Sequence, residues 1–429
     1  MKVVFHIGTK KTGSTTLQRT LRDQAPFYRS KGILYPEIGE QLQHKQLLFA
    51  ISEESEMKGI FGFKTSEQVL KAREKSLDIW LDTDRQVHQG DYHTVVFSSE
   101  FAFGLRPHSL ARLLERLGAY STSIHLVGYF RSPVTLYRSS LQQSIKSSHI
   151  IRNPLIPFDY RRRFRKLANL DCASATVRCF ERAQLHNGCI VQDFSTTALG
   201  LTPQEAASIP VTSANESVSA PAVKLLHDFN QVLFPGQRRP GRPITRRLLK
   251  HIQQVEQQDA FPRLELRGDL IPGIEHANRD DLLWLRDNAA ITFTDVDYDE
   301  LAQPPDDQLH RVNAANLRDL EDVMIVNDEE YARFRAALLG QILLELPSDS
   351  LKDLAGQTAR PGISESFARK LSGSAGHRAA TNGQLSKVIH FLSSDAEDKV
   401  RTDLQCEAED QIFCHMLRFA LVQLSKVTH

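Results

Sequence analysis

Over residues 1–201 the chain alternates short apolar runs with longer stretches of helical periodicity, an order that few architectures accept. The strand candidates are Val3–Ile7, Thr94–Ser98, Ile124–Phe130, Thr176–Phe180 and Cys189–Gln192, each of four to seven mostly apolar residues. Continuous apolar runs of this length suit strands buried on both faces, as in a parallel sheet. Helical patterns at Thr15–Arg22, Ser66–Asp82, Ser109–Leu117 and Val134–Ser147 separate them. Strand, helix, strand in repetition predicts an α/β fold, a parallel sheet flanked by helices with right-handed crossovers.

From Pro210 to Leu346 the pattern turns mainly helical: Val223, Leu225, Leu226 and Phe229 sit at helix spacing, and Leu282, Leu283 and Leu285 mark another such segment. Between them Gln237–Arg247 (QRRPGRPITRR) reads as a basic loop. Residues 356–383, rich in Gly, Ala, Ser and Arg, read as a linker or a mobile loop. Beyond it Phe413, Leu417, Ala420 and Leu424 share one helical face. The expected organisation is one domain over 1–346, with an α/β core over 1–201 and a helical region over 210–346. A linker and helical extension follow over 347–429.

The formal net charge of +1 gives no bulk attraction to nucleic acid or to an anionic membrane, so any anion site must be local. No apolar run is long enough to span a bilayer, and Val3–Ile7 is too short for a signal-peptide core. A cytoplasmic protein is the expectation. The five cysteines, Cys172, Cys179, Cys189, Cys406 and Cys414, lack CxxC spacing, so reduced thiols are expected and zinc is not.

The segment Phe5-His6-Ile7-Gly8-Thr9-Lys10-Lys11-Thr12-Gly13-Ser14-Thr15-Thr16-Leu17-Gln18 runs from an apolar strand through a glycine loop into an amphipathic helix. Glycines let the backbone turn tightly and bring its N–H groups near a bound anion. A helix N-terminus adds unpaired donors and about half a positive charge. Ser14, Thr15 and Thr16 supply short hydroxyls, and Lys11 supplies a full charge. Gly8 and Gly13 have the separation of a Walker loop, but Ser14 stands where that motif has its lysine. No strand ending in a Walker-B aspartate follows, which disfavours magnesium-dependent NTP hydrolysis.

Lys10-Lys11-Thr12-Gly13-Ser14-Thr15-Thr16 resembles the 5′-phosphosulfate loop (PKTGTT) of PAPS-dependent sulfotransferases, with Lys10 in place of the proline and Ser14 in place of a threonine. A second segment, Val127-Gly128-Tyr129-Phe130-Arg131-Ser132-Pro133 and onward to Ser139, resembles the same family's RxPxxxxxS pattern. The resemblance implies that Arg131 and Ser139 grip the 3′-phosphate of the nucleotide. A guanidinium fork suits a dianionic phosphate better than an ammonium does. The similarity spans roughly Lys2 to Leu201. Val177–Glu181 followed by Gly188–Phe194 resembles a late strand pair of bacterial, carbohydrate-acting members, and Asn215-Glu216-Ser217 is similar to theirs. The RKGxxG segment of cytosolic animal members has no counterpart.

The resemblance implies a P-loop-like sulfotransferase domain over 1–346, its helical part on the acceptor side. It would transfer a sulfuryl group from PAPS to a hydroxyl or amine, with PAP as product and no metal. The acceptor implied is a carbohydrate or glycolipid; nucleic acid is not a partner, and the oligomeric state is open. Lys11 would stabilise the departing phosphate oxygen, with Lys11, Thr12, Gly13, Ser14, Thr15, Thr16, Arg131 and Ser139 as the nucleotide contacts. Glu100, just past Thr94–Ser98, is the candidate base, or else a carboxylate at a helix start. His44 is a second candidate base, or else a solvated surface histidine; His6 reads as a core or loop-supporting residue. The basic clusters Arg161-Arg162-Arg163 with Arg165-Lys166, and Arg238-Arg239 with Arg242, suit an anionic polysaccharide or simply solvated charge. Two further readings stand beside the transferase: a P-loop kinase-like phosphotransferase, and a non-catalytic nucleotide-binding scaffold.

Overall fold

The structure, a computed structural model, describes residues 1–168, 170, 174–212, 217–234, 242–303, 317, 319–345 and 417. The chain divides into two compact units. One comprises Met1–Leu136, Ile156–Glu216 and Ile274–Asp306; the other comprises Tyr137–Leu155, Ser217–Gly273 and Asp307–His429.

The first unit is α/β. Its five strands, β1 (Lys2–His6), β2 (Ile33–Leu34), β3 (Thr94–Ser98), β4 (Ile124–Phe130) and β5 (Ser174–Cys179), pair in parallel in the order β2-β3-β1-β4-β5. Strand alternation explains why the runs are so apolar. Val3, Phe5 and Ile7 enter one buried cluster with Phe97, Leu126 and Phe130, while Val4 enters another with Val96, Val127 and Tyr129 on the opposite face. Helix α1 (Ser14–Asp23) covers the second face through Leu17 and Leu21. Helix Pro107–Gly118 covers the first through Leu110, Leu113, Leu114 and Leu117.

Strands β3 and β4 have the bounds the sequence suggests, and β1 and β5 differ from them only at their ends. Cys189–Gln192 is a correction. Cys189 is an extended cap, and Ile190–Thr197 is a helix whose Ile190, Val191, Phe194 and the following Ala198 are buried beside α1. The β-branched pair Ile190-Val191 imitates a strand, but burial at i, i+4 and i+8 follows the helical period. Of the two segments read as a strand pair, only the first is a strand. β2 is too short to show any period.

In the second unit, helix Ala220–Leu233 buries Val223, Leu225, Leu226 and Phe229. Lys224 on that helix bridges Asp228 at 2.9 Å and Glu321 at 2.8 Å, and Tyr331 Oη donates to Asp228 at 2.6 Å. Residues 242–247 are a second correction, since helix Arg242–Gln258 includes them, with Leu248, Ile252 and Val255 buried one turn apart. Residues 237–241, Asn215 and Glu216, residues 356–383, and Cys172, Cys406 and Cys414 lie outside the described residues. Of the C-terminal face only Leu417 is described, and it is buried. Cys179 and Cys189 carry free thiols. No described helix is long and apolar enough to cross a membrane.

Candidate functional site

Three neighbouring strands, β3, β1 and β4, deliver their carboxyl ends to one edge of the sheet, where open parallel sheets place their ligands. β1 leads into the turn at Gly8–Gly13. Lys11 (φ 67°) and Gly13 (φ 73°) adopt the left-handed conformation and Thr12 between them does not. Alternation of backbone hand turns successive N–H groups towards a common point, the geometry of an anion nest. Two side chains hold the turn in that form: Thr9 Oγ1 donates to the Tyr129 carbonyl of β4 at 2.5 Å, and Thr12 Oγ1 donates to the Thr9 carbonyl at 2.8 Å. Helix α1 then opens with no side-chain cap and no acidic residue in its first turn, so none of its own side chains neutralises the positive end of its dipole.

β4 delivers Arg131. Its Nη1 donates to the Lys11 carbonyl at 3.0 Å, joining the two strand exits directly. The guanidinium lies 5.6 Å from the centroid of Phe180, and Tyr160 Oη donates to the Arg131 carbonyl at 2.6 Å. Phe180 also packs against the turn: a Cβ at Gly13 would come within 2.9 Å of its ring. Gly13 is thus required twice, by its left-handed φ and by contact. Gly13→Ala is expected to cost about 2 kcal/mol or more in a urea unfolding titration. Gly118→Ala, where an added Cβ meets nothing within 4 Å, should be neutral or mildly stabilising.

β3 delivers Glu100 at the start of a 3₁₀ turn, Glu100–Gly104. Burial raises its carboxyl pKa, opposed by the Ser14 hydroxyl and by the charges of Lys11 and Lys10. The Ser14 hydroxyl is near enough to favour the carboxylate but is not aligned as a hydrogen bond, and it is buried without another partner. The Gly8 turn covers the pair, because a Cβ there would lie 2.4 Å from Ser14 Oγ and 2.9 Å from Glu100 Cγ.

The structure therefore gathers Lys11, Thr12, Gly13, Ser14, Arg131 and Glu100, with Thr15 and Thr16 half-buried in the first turn of α1. Thr12 and Ser14 turn their hydroxyls inwards, so towards a ligand they offer backbone N–H groups. Ser139 lies about two turns along helix Pro133–Ile145, in the part belonging to the second unit.

His44 is neither solvated nor suited to be a base. It is buried, its Nδ1 accepts from the Ser98 N–H at 3.0 Å, and its Nε2 bonds the Pro36 carbonyl at 2.8 Å. Burial lowers its pKa to about 4, so it is a neutral strut between two backbone groups. The first basic cluster is likewise engaged within its own unit. Arg161 pairs with Asp281 and Arg162 with Asp159, while Lys166 donates to the Phe103 and Leu105 carbonyls. Arg163 and Arg165 lie over Phe158 and Trp284. Arg238 and Arg239 lie outside the described residues. Among these, Glu53, Glu56 and His108 have the spacing of a metal triad. Glu53 binds His108 and Arg106, and Glu56 accepts from the Arg106 N–H and Ser109 Oγ.

Sequence reasoning missed Thr9, Tyr160 and Phe180, which shape the turn and hold Arg131. Each sits beside a recognised motif but carries no motif of its own. No family model, curated protein or solved structure matches the chain.

Proposed function

We propose that the chain is a P-loop-like, PAPS-dependent sulfotransferase of the bacterial, carbohydrate-acting kind that its motifs resemble. The observation that carries this reading is the 3.0 Å bond from Arg131 Nη1 to the Lys11 carbonyl. It brings the residues of two separate motifs, about 120 positions apart, to one place. A nucleotide with phosphates at both ends of its ribose needs two anion sites a short distance apart. The nest at residues 11–13 with the start of α1 suits the 5′-phosphosulfate, and Arg131 suits the 3′-phosphate.

In the proposed reaction an acceptor oxygen forms a bond to sulfur while the bond from sulfur to the 5′-phosphate oxygen breaks. That bond's electron pair stays on the phosphate, where Lys11 stabilises the charge, and PAP departs. The acceptor's proton passes to Glu100. Burial supports the last role, because a carboxylate with a raised pKa is a stronger base than an exposed one. The inward-facing Ser14, in the place of a Walker lysine, tells against the kinase-like reading.

Calorimetry with PAP against ADP–Mg tests the assignment. PAP should bind and ADP–Mg should bind weakly or not at all. Arg131→Ala should weaken PAP about 10- to 100-fold, the loss expected for charge-assisted hydrogen bonds. A preference for ADP–Mg, or PAP affinity indifferent to Arg131, would overturn it. Labelled sulfate transfer to a panel of glycans then separates an enzyme from a nucleotide-binding scaffold.

A further inference from the structure

Beneath the turn lies a buried polar chain that the proposed reaction does not use. Helix α1 presents Ser14 and Gln18 one turn apart on its buried face, and His6 and Ser98 face each other across β1 and β3. Gln18 Nε2 donates to Ser98 Oγ at 2.9 Å, and Ser98 Oγ meets His6 Nδ1 at 2.8 Å. A serine hydroxyl has one proton. With the Gln18 amide donating to Ser98, the Ser98 proton finds an acceptor among these groups only at His6 Nδ1. The imidazole proton then sits on Nε2.

His6 Nε2 is fully buried and has no partner, and the Ser14 hydroxyl is in the same condition. Both residues border the point under Gly8 where Glu100 also arrives: a Cβ at Gly8 would lie 3.3 Å from His6 Cε1, 2.4 Å from Ser14 Oγ and 2.9 Å from Glu100 Cγ. Two buried donors beside one half-buried carboxylate have an evident use. Unmade hydrogen bonds are costly, and donors favour the ionised form of an acid. The charged groups facing Glu100 are Lys10 and Lys11 from the turn. From the neighbouring turn His44–Leu48, His44 is kept neutral by burial and Lys45 lies over the Phe101 ring. His6 is itself kept neutral by burial, its pKa lowered to about 3.

We propose that Gln18, Ser98 and His6 form a positioning relay that fixes the Nε2–H tautomer of His6. With Ser14, that N–H holds Glu100 in its ionised form and in place under the turn. His6 acts through Glu100 and does not touch substrate. The inference deepens the reading above by adding the device that keeps the proposed base charged despite its burial.

Nitrogen NMR of the imidazoles in the unaltered full-length protein is the first test. His6 should show a protonated Nε2 and a bare Nδ1, unchanged from pH 5 to 9. The opposite tautomer, or a ring titrating near the ordinary value of 6.5, would overturn the relay. Carbon NMR of the Glu100 carboxyl is the second. His6→Phe, which keeps the ring and loses the donor, should raise the Glu100 pKa by about one unit, the equivalent of one hydrogen bond to a charge. His6→Gln, whose amide nitrogen can stand near Nε2, should recover most of that shift. An unchanged Glu100 pKa in a folded His6→Phe protein defeats the proposal; should that variant not fold, Ser14→Ala and the tautomer measurement decide it. Neither measurement requires sulfuryl transfer, so failure of the transferase assignment would be seen separately, in PAP binding.

Discussion

Lys11→Ala is expected to lower turnover by about 10²- to 10³-fold while leaving the protein folded and PAP binding far less affected. The separation follows from what the residue does in each state. In the proposed transfer, negative charge on the 5′-phosphate oxygen grows as its bond to sulfur breaks, so a fixed ammonium there would stabilise the transition state more than the bound donor. Stability should hardly change. Lys11 has φ 67°, a conformation that costs alanine about as much as lysine, and its carbonyl still accepts from Arg131 in the variant. Lys11→Gly sharpens the test. Glycine adopts that φ without penalty, so this variant should be at least as stable as the parent and equally inactive. Steady-state kinetics with saturating PAPS, beside thermal unfolding of the three proteins, reads both quantities. Turnover in Lys11→Ala within a few-fold of the parent would remove Lys11 from the chemistry.

How far such a site can be read from sequence depends on what each residue contributes. Lys11, Gly13 and Arg131 were legible because the roles proposed for them require a residue type at a fixed offset from a strand end. The strands that carry them were legible because burial on both faces leaves uninterrupted apolar runs. Glu100 was visible only as a carboxylate at the end of a strand; the neighbours that shift its pKa come from the turn after β1 and the start of α1. His44 was misread because a polar context, Gln43-His44-Lys45, says nothing about burial, and its ring fits between the Pro36 carbonyl and the Ser98 amide. Cys189–Gln192 was misread because a β-branched pair has the same composition in a strand and in the first turn of a buried helix. Gln18, Ser98 and His6 could not have been grouped at all: the first is one turn along α1, and the other two are paired by strand register.

Glu100→Gln should lower kcat/KM by about 10²- to 10⁴-fold, the range for loss of a positioned general base, while stability at neutral pH holds or rises. The sign follows from the direction of the shift. Burial places the folded-state pKa of Glu100 above its ordinary value of 4.5. A carboxyl with a raised pKa favours folding most where it is protonated, and that contribution is lost as pH rises through the folded-state pKa. At neutral pH the ionised group therefore weighs against the fold, and an uncharged amide of the same shape relieves it. The parent protein should gain stability as the pH falls towards that pKa and, in the proposed reaction, lose activity over the same interval, since only the carboxylate can accept the proton. The glutamine variant should show neither dependence. Parallel pH profiles of kcat/KM and of the urea midpoint, for both proteins, measure this opposition. An acidic limb that persists in Glu100→Gln, or one in the parent at or below the ordinary carboxylate value, would assign the base elsewhere.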